Sequence, residues 1–122
     1  MNVQLSQFFR RGVIRPLDDD AVQQLAAFRI DTPIRVEWLP IMNDDEFARI
    51  WEAGVLQRIN EACGVDISDY EEVELPANRI ESALRAVRYD AGNRDSIGKF
   101  IQSLDGLLSD AVATNKNVYF IF

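Results

Sequence analysis

The 122-residue chain has no histidine. That removes the side chain best suited to proton transfer near neutral pH, together with serine-type triads and most zinc sites. It has one cysteine, Cys63, so no internal disulfide framework is expected and a reducing compartment, the cytosol, is. Cys63 follows Ile59 at helical spacing and reads as a small core residue, since a lone thiol without a base is a poor nucleophile. The only lysines are Lys99 and Lys116, and neither stands in an acid-x-lysine arrangement. A nuclease or phosphatase would place such a cation beside its carboxylates to hold phosphate. No glycine-rich phosphate loop occurs. The runs Asp18-Asp19-Asp20 and Asp44-Asp45-Glu46 are contiguous and lack the spacing and glycine of a calcium loop. No apolar run approaches the roughly 20 residues that span a bilayer. The N-terminal MNVQLSQFFRRG puts its arginines after a short apolar patch and offers no small-residue cleavage site, so no secretory signal is expected. Neither catalysis, a cofactor nor a metal is expected, although carboxylates alone leave a magnesium or acid/base enzyme as a residual class.

What is present is a globular composition, 48% hydrophobic and 27% charged, in a length that suits one domain over residues 1–122. The net charge is −7, which argues against nucleic acid and anionic membrane as partners, because both attract a positive surface. Residues 1–40 balance to zero and residues 76–122 to +1. Residues 41–75 set Arg49 and Arg58 against ten acids, a balance of −8. The whole excess lies in the middle third.

No repeat, low-complexity stretch or linker interrupts the chain. The first dozen residues are ambiguous: Val3, Leu5 and Gln7 alternate weakly, while Phe8 and Phe9 suit a helix, and Pro16 breaks the run. The three aspartates at 18–20 favour a helix start, with Val22, Leu25 and Phe28 on one face. Residues 34–39 alternate as a strand, ended by Pro40. Asn43 with Glu46 three residues later has the form of a capping box and predicts one helix to about Cys63, stopped by Gly64. Its stripe is Phe47, Ile50, Trp51, Val55, Ile59, Ala62 and Cys63. Gly54 lies on that stripe as a site for a close crossing or kink, and Leu56 falls on the opposite face. A short strand over residues 71–75 follows an acidic loop. Pro76 suits the first turn of the next helix, which carries Ile80, Ala83, Leu84 and Val87 inward. Asp95 or Ser96 caps a long helix containing Ile97, Phe100, Ile101, Leu104, Leu107, Leu108, Ala111 and Val112. The closing Val118–Phe122 is apolar on both faces, as an interior strand would be. The expected class is α+β, an open sheet of three or four strands with about four helices. It is preferred to a doubly wound sheet because a three-strand parallel sheet would be small.

The acidic third is the candidate partner-binding site. Its residues are Asp44, Asp45, Glu52, Asp66, Asp69, Tyr70, Glu71, Glu72 and Glu74. Glu72 and Glu74 share one strand face and Val73 and Leu75 the other, and like charges on one face cost stability. A cationic partner would relieve that repulsion and would be steered towards it, with Tyr70 as an aromatic anchor. The competing reading is a solvated face that keeps the protein soluble. Arg88-Tyr89-Asp90 and Asn93-Arg94-Asp95 form a second exposed candidate of mixed charge.

Two segments carry a resemblance: EEVELPANRIESALRAV (Glu71–Val87) and FIQSLDGLLSDAVATNKNVYFIF (Phe100–Phe122). Over about one-third of its length the chain looks like the small bacterial immunity proteins that neutralise polymorphic or contact-dependent growth inhibition toxins. Those families share no catalytic motif, so no functional residue carries over. The resemblance implies a cytoplasmic antidote that covers a cognate toxin's active site, and a nuclease toxin's basic site would suit residues 41–75. The alternative is a non-catalytic structural or adaptor protein that self-associates through apolar residues such as Leu56. The oligomeric state stays open.

Overall fold

The computed structural model describes residues 11–26, 35–69, 71–89 and 97–122. Val3, Leu5, Gln7, Phe28, Tyr70, Asp95 and Ser96 lie outside them. In chain order the elements are β1 (Gly12–Pro16), α1 (Asp19–Ala26), β2 (Val36–Pro40), α2 (Asp44–Glu52), α3 (Val55–Cys63), β3 (Glu72–Leu75), a 3-10 turn (Ala77–Arg79), α4 (Ile80–Arg88), α5 (Gly98–Thr114) and β4 (Val118–Ile121). The strands form one open antiparallel sheet in the order β2-β1-β4-β3. With the five helices of the described residues this is the α+β class expected.

Register divides the sheet into two faces. Leu39, Val13, Phe120 and Val73 stand opposite one another across the four strands, and alternation sends them to the same side. There they join the main core with α2, α3, α4 and α5. The neighbouring row, Trp38, Ile14, Tyr119 and Glu74, faces the other side. Ala21 and Leu25 of α1 cover Ile14 and Tyr119 there. Strand β4 is interior as expected, and all four of its residues are buried. Burying a side chain such as Phe120 or Ile14 is worth about 1.5–3 kcal/mol, so a strand buried on both faces anchors both layers at once.

The capping expectations at Asn43 and at the aspartate run hold, whereas α5 has Ile97 at its cap position in place of Asp95 or Ser96 and no side-chain cap there. The amide of Glu46 donates to Asn43 Oδ1 at 2.9 Å, and that of Ala21 to Asp18 Oδ1 at 2.8 Å. Asn43 and Asp18 thereby satisfy amides that a helix start leaves without intrahelical partners.

The single helix expected over residues 44–63 is two helices. Ala53 and Gly54 close α2 with hydrogen bonds to Arg49 and Trp51 carbonyls, and Gly54 takes φ +83°, a left-handed conformation cheap only for glycine. The break resets the helical phase, so one wheel drawn through all twenty residues misplaces two side chains. Leu56, expected on the outer face, is fully buried beside Val55 and Ile59, whereas Ala62, expected inward, is exposed. Strand β1 is the other departure, because the sequence pattern marks only its end at Pro16. Among the described residues no helix is long and apolar enough to cross a membrane.

Candidate functional site

The acidic third is organised by an arginine that precedes it by thirty residues. Arg11 stands immediately before β1. Its Nη1 donates to Asp44 at the start of α2 and its Nη2 to Asp69 in the loop before β3. Its guanidinium lies 4.8 Å from the centre of the Phe47 ring, where cation–π attraction adds to the ion pairs. One cation therefore meets two carboxylates. The Asp44 side chain remains 78% exposed, so its charge still reaches solvent.

The sheet brings a third acid to the same end. The Ile41 amide donates to the Arg11 carbonyl at 2.7 Å, and the Phe122 amide to the Glu71 carbonyl at 3.0 Å. With Gly12 paired to Ile121, Arg11 and Glu71 lie at the same end on either side of β4, two strand spacings or roughly 10 Å apart. Phe122 packs edge-on to Phe47 at 5.4 Å, giving this end an aromatic floor.

The loop carrying Asp66 and Asp69 is held by a side chain of α3. The Ile67 amide donates to Asn60 Oδ1 at 2.6 Å, and Asn60 Nδ2 donates to the Ile67 carbonyl at 2.9 Å. Both backbone groups of Ile67 are thus captured by one amide while its side chain is buried. Gly64, at φ +68°, ends α3 and turns the chain into this loop. Asp66 is exposed.

The remaining acids are not drawn to the Arg11 end. Asp45 and Glu52 are exposed on one face of α2, but seven residues, about 10 Å, separate them, and the exposed Arg49 sits between. Glu72 and Glu74 point to the opposite face of β3 from Val73 and Leu75, as the alternation predicts, and both are exposed. Asn117 Nδ2 donates to Glu74 Oε1 at 2.8 Å, while Asn117 Oδ1 accepts from the Ala77 amide at 2.8 Å. Opposite Glu74 stands Tyr119. Its phenol is pushed up to about 12, by burial first and then by the negative charge of Glu74. The nine acidic-site positions therefore divide into a cluster at the Arg11 end (Asp44, Asp69 and Glu71, with Asp45 and Asp66 on the same elements), a pair on the second face, and Glu52 at the far end of α2. Tyr70 lies outside the described residues.

Arg11, Asn60 and Asn117 organise these acids and were not singled out by pattern. Arg11 reads as half of an unremarkable Arg-Arg pair, and the two asparagines act on backbone brought near by the fold. Cys63 is buried as expected, and burial pushes its thiol up against the lowering influence of Arg79. Among the described residues no group of three or more acids or cysteines is placed to hold a metal ion.

Compared with known proteins, the chain matches no family model, and neither the curated proteins nor the solved structures give a significant match.

Proposed function

We propose that this protein is an immunity-type inhibitor, which binds a cognate toxin domain with a basic surface and occludes that domain's active site. The observation that carries the proposal is the Arg11 end of the sheet. Carboxylates from α2 and from the loop before β3 are drawn onto one arginine there, leaving a negative surface already in place before any partner arrives. Placing like charges before binding reduces what association must spend on ordering side chains, and a surface of one sign speeds encounter with an oppositely charged partner. The acids nearest this centre are Asp44, Asp45, Asp66, Asp69 and Glu71. Glu72 and Glu74 meet the partner only if it wraps over the edge of β3.

The binding is steric and electrostatic, one-to-one and cofactor-free, in the cytoplasm, with neither nucleic acid nor membrane taking part. Leu56, the residue offered for the self-associating alternative, lies in the core, and the exposed large apolar residues among those described are Leu17, Met42 and Tyr89. The test is affinity purification of tagged protein from its native host at low and high salt, followed by mass spectrometry. One basic toxin domain, recovered in a salt-sensitive way and bound at least tenfold more weakly by an Asp66→Lys, Glu71→Lys variant, is the expected result. Recovery of the protein alone, or of a neutral multi-subunit complex, sinks the reading.

A further inference from the structure

We infer that the groove between α3 and α4 is a binding site for a short acidic segment of a partner protein. It is an open concavity of about 640 Å³. Arg58 and Glu61 line it from α3, and Ser82 and Arg85 from α4, with Tyr89 beyond the end of α4. Its floor is small: Ala62 and Ala86 leave room that larger side chains would fill. These residues are distinct from the acidic cluster around Arg11, so the inference stands or falls apart from the function proposed above.

The chemistry comes from the two arginines. Arg58 reaches from α3 to α4, with Nε directed at the Ala86 carbonyl and Nη1 at the Ala53 carbonyl, each at 3.4 Å. Those long contacts hold the guanidinium across the groove and leave Nη2 without a partner among the described residues. Arg85 donates from Nη2 to Ser82 Oγ at 3.3 Å. Among the described residues neither arginine forms an ion pair, whereas Arg11, Arg15, Arg88 and Lys116 each pair with a carboxylate. Glu61 lines the same concavity, so two guanidiniums stand against one carboxylate there, and a carboxylate arriving beside Arg58 and Arg85 meets a net positive groove and adds charge-assisted hydrogen bonds. Tyr89, 81% exposed, offers a flat ring of the kind that anchors protein interfaces. The path from Ser82 to Tyr89 is about 10 Å along a helix axis, the length of roughly three extended residues.

A polyphosphate chain or nucleic acid is disfavoured as occupant. The net charge of −7 repels a dense polyanion at a distance, while one or two carboxylates on a peptide reach the arginines at contact range and place apolar atoms on Ala62, Ala86 and the Tyr89 ring.

The test is a two-dimensional amide NMR titration of the whole protein with a capped Glu-Ala-Glu-Ala peptide, run beside capped tetralysine and inorganic phosphate. Saturable shifts confined to residues 58–62 and 82–89 are expected, with millimolar affinity and none from tetralysine. Arg85→Gln should weaken binding by about fivefold with an unchanged thermal midpoint. Arg85 carries the test because Arg58 also contacts the α3 and α4 backbone. The inference is overturned by absent or scattered shifts, by equal shifts with phosphate alone, or by affinity that survives Arg85→Gln. Concentration-dependent shifts at the same amides without peptide overturn it in favour of a second copy of the chain.

Discussion

Replacing Asn60 with alanine separates the positioning of the acidic loop from its charge. The Asn60 side chain makes two hydrogen bonds to Ile67, at 2.6 and 2.9 Å, and among the described residues reaches no other part of the loop. Each such bond contributes about 1 kcal/mol net, and more where a buried group is left without a partner. The Ile67 side chain is buried, while Asp66 beside it is exposed, so water reaches part of the vacated backbone and the loss stays near the lower end. Alanine is the better helix former and returns about 0.5 kcal/mol. The expected net loss is about 1.5–2 kcal/mol, read as a lower urea midpoint at unchanged slope. In hydrogen exchange the Ile67 amide should lose protection before the sheet does. Asn60→Asp keeps the acceptor for the Ile67 amide and loses the donor, so about half of the loss is expected there. An Asn60→Ala midpoint within 0.5 kcal/mol of the parent, with Ile67 still protected, would refute the clamp and the claim that α3 positions Asp66 and Asp69.

Three further outcomes are expected. Gly54→Ala should destabilise by about 1–2 kcal/mol, because the left-handed conformation is costly for any residue with a Cβ. Were α2 and α3 one continuous helix, the same change would stabilise by about 1 kcal/mol, so the sign of the urea-midpoint shift decides. Tyr119 is held neutral by burial beside Glu74, its folded value of about 12 lying above the ordinary 10. Its stabilisation is therefore present below pH 10 and is lost as pH rises from 10 towards 12. Tyr119→Phe should remove that share of the alkaline loss, seen by comparing urea midpoints of the two proteins at pH 9 and 11, and an identical decline in both contradicts it. The Cys63 thiol, buried and pushed up, should be inert to a disulfide reagent at pH 8 in native buffer and react fully in denaturant. Rapid native reaction would place it outside the core.

Local pattern made the start of α2, the buried face of α5 and the strand β4 readable in advance. Asn43 caps α2 three residues ahead of Glu46, Phe100 to Ala111 keep the period of one buried face, and an apolar run without alternation became the interior strand. The same reasoning failed at Leu56, because a helical wheel assumes unbroken phase and Gly54 breaks it. It left β1 undecided, because five residues containing Gly12, Arg15 and Pro16 show little alternation and are made a strand by the partners on either side.

The candidate site divides in the same way. Charge is additive along the chain, so the excess of acids in residues 41–75, and the sharing of one face by Glu72 and Glu74, follow from sequence alone. Which acids meet does not. Arg11 joins Asp44 and Asp69 across separations of 33 and 58 residues, Asn117 reaches Glu74 across 43, and Arg58 and Arg85 face one groove only because α3 packs on α4. Residue chemistry, local periodicity and the location of the negative charge follow from the order of the amino acids, because each acts over a few residues. Tertiary structure decided strand order, the two faces of the sheet and the division of the acids between them, because those depend on contacts between residues far apart in the chain that no local pattern encodes.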